Sequence, residues 1–158
     1  MELFPGYVYC IDTSALMDLT EQYPDSVFST LWKNIEALVS QKRLIAPREV
    51  FKEIVWDIRL QNWAKKHRKM FKDLDREQLQ YVKEIVAKYP SLVDPGKTTP
   101  DADPFIIALA KAENATVITS EKSASPTSTR VKIPDVCRAY EIKCMSLTVW
   151  FNEQKWKF

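Results

Sequence analysis

The sequence predicts an α/β domain, a short and mainly parallel β-sheet flanked by helices. Short apolar, β-rich runs such as "YVYCI" (7–11) suit strands buried on both faces. Between them lie amphipathic stretches opened by helix-start signals, and strands that alternate with helices imply crossovers and a parallel sheet. With 158 residues, 46% of them hydrophobic, the chain is long enough for one domain with a sizeable core and too short for two. Residues 1–158 are therefore read as one domain.

The elements follow in order. The strand 7–11 ends at Asp12. "DSVFSTLWKNIEALVSQ" (25–41) reads as a helix capped by Asp25, with Val27, Leu31, Ile35 and Leu38 at helical spacing. "RLIA" (43–46) reads as a second buried strand. Pro47 then opens a long helix from about Arg48 to Phe71. "DREQLQYVKEIVAKY" (75–89) is another capped amphipathic helix. A Pro/Gly/Thr-rich connection, "DPGKTTPDADP", leads to a helix over 104–113, with Asp103 as its cap and Pro104 at its first position. The strand "TVIT" (116–119) follows, then a Ser/Thr-rich loop, "RVKI" (130–133), a short helix "PDVCRAYEI", the strand "KCMSL" and a last helix containing "TVWF". No internal repeat is visible.

Several function classes drop out on composition. Only His67 is present, inside "KKHRK", so a His-rich metal site is excluded and any Ser-His or Cys-His nucleophile would have to use that one residue. The two glycines, Gly6 and Gly96, begin neither a G-x-G-x-x-G nor a G-x-x-x-x-G-K pattern, which removes nucleotide-binding loops. Cys10, Cys137 and Cys144 are odd in number and form no C-x-x-C pair; Cys10 sits in an apolar run and is expected in the core. No signal-peptide pattern opens the chain, and no window approaches ~18 uninterrupted apolar residues, so no membrane span is expected and a reducing cytoplasm is the default location.

Charge is uneven. The net charge is +2, with pI about 8.4. Residues 41–72 nevertheless hold ten Lys or Arg against Glu49, Glu53 and Asp57, an excess of seven positive charges suited to a polyanion.

What remains is oxygen chemistry. Ligands bind at the carboxyl ends of strands in open α/β sheets, and there Asp12 leaves the first strand and Glu121 another, with Ser14 and Thr119 beside them. Asp103 starts the helix feeding the second of these strands; connectivity alone is read as placing it on the opposite rim unless the loop and helix orientation carry it back. Glu49, Glu53 and Asp57 recur every four residues and are expected to share one helical face. Hard carboxylate oxygens without imidazole or thiolate select Mg²⁺ or Mn²⁺, ions that commonly serve phosphoryl chemistry.

The chain resembles PIN domains, a family of metal-dependent ribonucleases, and within them the VapC-type toxins of toxin–antitoxin pairs. The resemblance runs from about residue 7 to residue 151. Its carriers are "YCIDTSALMDL" with Asp12 and the hydroxyls of Thr13 and Ser14, "IAPREVFKEI" with Glu53, "DPFIIALA" with Asp103, and "VITSEK" with Glu121. It implies a three-layer fold in which Asp103 faces Asp12 across the crevice. Asp12, Glu53, Asp103 and Glu121 are then the catalytic and metal-binding acids for one or two Mg²⁺ or Mn²⁺ ions, and Ser14 orients Asp12 or a water. The implied activity is hydrolysis of RNA phosphodiesters to 5′-phosphate and 3′-hydroxyl ends; the implied partners are an antitoxin protein and a second copy of the chain. Glu121 departs from the family's more usual aspartate, Glu53 is preferred to Glu49 because it falls six residues after Pro47, and Asp101 stands ready to assist Asp103 or to act as a loop carboxylate.

The basic residues, with Lys122, Arg130 and Lys132, are candidates for holding the RNA backbone, and Trp63 or Phe71 for stacking bases. A rival reading is a PIN-like module of weak activity that works by binding proteins or RNA, for which the aromatic C-terminus "TVWFNEQKWKF" is suited, although Trp150 and Phe151 are expected to close the core. An aspartate-nucleophile phosphatase needs a second aspartate where this chain has Ser14.

Overall fold

The computed structural model describes residues 7–94, 96 and 101–158. The residues behind the leader reading, and most of the connection after Asp94, fall largely outside these. Within the described residues five strands form one sheet: β1 (Tyr9–Ile11), β2 (Leu44–Pro47), β3 (Phe71–Lys72), β4 (Thr116–Ile118) and β5 (Cys144–Met145), in the order β3-β2-β1-β4-β5 with every neighbouring pair parallel. Among the described residues eight helices flank it: α1 (Thr13–Gln22), α2 (Ser29–Ser40), α3 (Arg48–Glu53), α4 (Ile58–Lys66), α5 (Arg76–Lys88), α6 (Asp103–Glu113), α7 (Ile133–Ala139) and α8 (Leu147–Glu153). The expected α/β class, a short parallel sheet between helices, is present.

The strand order explains where a site must lie. Parallel crossovers are right-handed, so the connections from β1 to β2 to β3 lay α1–α4 on one face. The chain then returns across the sheet to β4 and β5, laying α5–α7 on the other. The reversal falls between β1 and β4, and the crevice outside their carboxyl ends is the topological switch point. Asp12 and Thr119 are the residues that leave these two strands.

The central strand β1 is buried throughout, with Tyr9 beside both Leu44 and Thr116 and Cys10 between Ile45 and Val117. The six residues Pro104 and Ile106–Ala110 of α6 are all buried, because this helix lies between the sheet and α5 and α7 and has no solvent stripe to make polar. Trp150 and Phe151 of α8 close the core as expected: both are buried, Trp150 meets Tyr9 and Trp156, and Phe151 meets Tyr23.

Three readings need correction. The helix expected over 25–41 starts at Ser29; Asp25 is not its cap, and Val27 is exposed in the turn that donates to the Pro24 carbonyl. α1 was not anticipated, since "TSALMDLTEQ" buries only Ala15, Leu16 and Leu19 and so shows little apolar period. The long helix 48–71 is broken. β-branched Ile54 and Val55 weaken it, and Asp57 offers its carboxylate to Leu60 N, starting α4 anew. Phe71 then leaves through a 3₁₀ turn to pair with Ala46 in β3.

α5 begins where expected, with the Asp75 carboxylate accepting from Gln78 N at 2.8 Å. Asp75→Ala is expected to lower unfolding free energy by about 1 kcal/mol in a denaturant titration while leaving any activity of the distant site unchanged.

Candidate functional site

Asp12 is held by three donors. It caps α1 by accepting from Ala15 N at 2.8 Å, and the hydroxyls of Ser14 and Thr119 both donate to its carboxylate. An ionised carboxylate can only accept, so each hydroxyl turns its single proton to Asp12 and uses a lone pair for a backbone N–H: Ser14 accepts from Ser120 N at 3.2 Å and Thr119 from Glu121 N at 3.0 Å. Strand β4 thus fixes an acid leaving β1, across the switch point.

Three hydrogen bonds favour an ionised carboxylate, yet burial outweighs them and pushes the Asp12 carboxyl up to about 6, with help from the charge of Glu121. Thr119→Val removes one of the bonds that lower it. Its expected effect is a further rise, so that any Mn²⁺-induced gain in melting temperature shrinks at about pH 6.5 and returns by about pH 8.5. A melting series over pH with and without Mn²⁺ reads this directly.

Asp103 behaves differently. It was expected to be the cap of its helix, but Ala102 occupies that position and Asp103 is the first helical residue. The orphan donors of this end go elsewhere: Ala102 N donates to Glu53 Oε1 at 2.9 Å, and Asp103 N to Asp101 Oδ1 at 3.2 Å. Asp101, itself buried, also accepts from Asp94 N, so it is the loop carboxylate among the alternatives left open. The Asp103 carboxylate is partly buried and accepts no hydrogen bond among the described residues. Burial first, and then the charges of Glu121, Asp101, Asp12 and Glu53, raise its carboxyl to about 8.

Hydrogen bonds tie the four anticipated acids to one crevice: Thr119 links Asp12 to the backbone of Glu121, and Glu53 holds Ala102 N at the start of the helix that carries Asp103. Connectivity does not put Asp103 on the opposite rim: α6 returns antiparallel to the strands, so its start lies at their carboxyl ends, facing Asp12. Glu121 reaches sideways, accepting from Ile133 N at 3.1 Å, and so fastens α7 to the rim. Of the three acids expected on one helical face, Glu53 joins the cluster, Glu49 is buried in α3, and Asp57 is a cap on the next helix. The shared spacing holds for Glu49 and Glu53 within α3 and fails for Asp57, because the helix breaks after Glu53.

The donor set fits a hydrated hard cation better than a protein cage. Among the described residues no three His, Cys, Asp or Glu side chains converge closely enough to hold one ion. Glu53 and Glu121 each have an oxygen committed to a backbone N–H, while no Lys or Arg among the described residues pairs with Asp12 or Asp103. Mg²⁺ retains several waters and is commonly bound through one or two carboxylates, the role left to Asp12 and Asp103.

Beside the acids a pocket of about 490 Å³ is lined by Thr119, Glu121, Lys122 and Arg138. Sequence reasoning passed over Arg138, whose guanidinium is held by Ser123 at 2.9 Å. Arg130 is instead turned to the Ser91 carbonyl, and Lys132 stands at the start of α7. The stacking candidates also change. Phe71 is buried against Phe51, and Trp63 packs between Trp32 and His67, whereas Trp56, three residues after Glu53, is 91% exposed.

Residues 9–158 match the model of a family described as a domain of unknown function, DUF4411. No curated protein matches the sequence. Among solved structures, the chain is similar to the crystal structure of VapBC2 from Rickettsia felis bound to a DNA fragment from their promoter, with 17% identity, a TM-score of 0.49, and 88% of this chain and 98% of that chain covered. It is also similar to PAE2754 from Pyrobaculum aerophilum, with 13% identity, a TM-score of 0.42, and coverage of 85% and 97%.

Proposed function

The chain belongs to the DUF4411 family, and we propose that it is a Mg²⁺- or Mn²⁺-dependent endoribonuclease, the toxin of a toxin–antitoxin pair. One observation carries the catalytic part: Asp103 holds a partly buried carboxylate that caps nothing, accepts no hydrogen bond among the described residues, and feels the charges of four other acids. A structural acid would have a donor. An acid kept without one, in a polar crevice at the switch point, is suited to an external cation. The toxin role rests on the sequence resemblance, which also supplies the antitoxin and the second copy of the chain as partners.

In this reading Asp12 and Asp103 bind the ion, Ser14 and Thr119 hold Asp12 in place, and Glu53 and Glu121 set the two loops that frame it. A bound divalent ion supplies Lewis acidity, lowering the pKa of a water and offsetting charge on the phosphoryl oxygens. Asp103, with no donor on its carboxylate among the described residues, would keep an oxygen free to accept a hydrogen bond from the attacking water and orient it. Lys122 and Arg138 hold the flanking phosphate, and Trp56 offers a stacking face to an unpaired base.

The exposed apolar side chains of Met17, Trp56 and Ile58, which line a groove of about 710 Å³, favour a second reading in which the domain acts mainly by holding a protein partner. Incubating the protein with labelled single-stranded RNA and Mn²⁺ or Mg²⁺, with EDTA and Asp103→Asn as controls, separates the two. Cleavage to 5′-phosphate ends that both controls abolish is expected. Intact RNA from a folded protein across several substrates moves the assignment to the partner-binding module.

A further inference from the structure

Away from the acids, Lys42, Lys66, Arg68, Lys69 and Lys72 converge with His67 on a groove of about 510 Å³ to which no carboxylate contributes. None of the five Lys and Arg side chains is ion-paired among the described residues, whereas Arg48 pairs with Asp73, His67 with Glu36, and Lys143 with Glu153. Five like charges around one groove repel each other, and phosphates bound there relieve that repulsion while releasing their own counterions.

The fold places this groove at the wrong end of the sheet for catalysis. β3 pairs only with Ala46 and Pro47, leaving the first half of β2, Leu44 and Ile45, as the groove's floor beside the 3₁₀ turn Arg68–Met70. The acids lie past the carboxyl ends of β1 and β4, whereas only Lys72 of the groove reaches the carboxyl end of β3, an edge strand two strand spacings, about 10 Å, from β1. One cation is held in advance: the Arg68 guanidinium lies 4.1 Å from the Phe51 ring centroid, and Phe51 rests on Phe71. Lys42 occupies a left-handed backbone position, φ 60°, where glycine would be cheaper, and a charge stands there instead.

We propose that this groove is an RNA-anchoring site, separate from the cleavage centre, that grips the phosphodiester backbone without reading bases. No Trp, Tyr or Phe side chain lines it, so the contacts available are to phosphates and are tolerant of sequence. The choice of RNA among polyanions rests on the ribonuclease reading. A strand gripped here and running round the short β3 edge would be delivered to the acids at the other end of the sheet.

The test measures binding of labelled single-stranded RNA in EDTA, over a salt series, by the wild type and by a Lys42→Gln, Lys66→Gln, Lys69→Gln variant, with Lys83→Gln on α5 as control. Each lost phosphate contact is expected to remove about 0.7 from the slope of log affinity against log salt. The triple variant should therefore lose about 2 from the slope and about 10- to 100-fold in affinity at ~100 mM salt, with a melting temperature no lower than that of the wild type. The control should match the wild type. Equal slope and affinity in the triple variant overturn the proposal, as does polyglutamate binding as tightly as RNA, which would give the groove to an acidic protein segment. Cleavage is scored separately with Mn²⁺. RNA bound through the groove but left intact sinks the nuclease reading and leaves the anchor; RNA cut normally with binding indifferent to the three lysines sinks the anchor alone.

Discussion

Asp103→Asn is expected to abolish metal-dependent RNA cleavage, by about 10²–10³-fold or more, and at the same time to raise the melting temperature of the metal-free protein. The two effects have one cause. Asparagine keeps the shape of the side chain and discards its charge, so it loses the anion that binds the ion and also the repulsion that Asp103 suffers from Glu121, Asp101, Asp12 and Glu53. The sign follows from linkage. Unfolded, Asp103 ionises near the ordinary 3.8; folded, it keeps its proton to about 8. Between those values the native state holds the extra proton, so this residue removes stability as pH climbs from about 4 to about 8. The variant should gain on the order of a few kcal/mol over the wild type at about pH 8, roughly 5–10 °C in melting temperature, and nothing near pH 4. A residue conserving the fold would do the reverse. Asp12→Asn is the contrast, for it disturbs the bonds from Ala15, Ser14 and Thr119 and should gain no stability while losing the same activity. Loss of activity with a lower melting temperature in Asp103→Asn would make Asp103 a structural residue after all.

Which parts of this were legible in the chain follows from how local each cause is. Asp75 and α5 could be read because the cap and the apolar period lie within one helix. β1 could be read because a central strand is apolar on both faces. The break at Ile54–Asp57 was not, since Glu49, Glu53 and Asp57 keep perfect helical spacing and only the competition from the Asp57 carboxylate ends the run. β3 is two residues long and exists because β2 lies beside it, which no local pattern records. The site divides in the same way. Asp12 and Glu121 were marked by leaving strands, and Asp103 by its place before Pro104. That Glu53 caps the end of α6, 49 residues away, and so frees Asp103 from capping, is a tertiary fact. Exposure is tertiary as well: Trp63 and Phe71 differ from Trp56 in what packs on them, a difference their own neighbours in sequence do not carry.

Millimolar Mn²⁺ or Mg²⁺ is expected to stabilise the wild type, and to do so more strongly as pH rises. An ion binding only the folded protein stabilises by RT ln(1 + [L]/Kd), about 2.7 kcal/mol at a hundredfold excess over Kd, or roughly 5–10 °C. The ion competes with protons for Asp12, which is half protonated at about 6, and for Asp103, at about 8. Below about pH 5.5 both carboxyls are largely neutral and the gain should vanish; above about pH 8.5 it should be full. Between these limits binding must expel protons, because the bound cation draws both carboxyls back toward the ordinary carboxylate range. Calorimetry in two buffers of unequal ionisation heat then gives different apparent enthalpies near pH 7 and converging ones near pH 9. The metal-free protein should meanwhile lose stability over the same interval, so the two melting curves diverge with pH. Parallel curves, or an equal Mn²⁺ shift in Asp103→Asn, would place the ion elsewhere on the protein and remove the acids at the switch point from the chemistry.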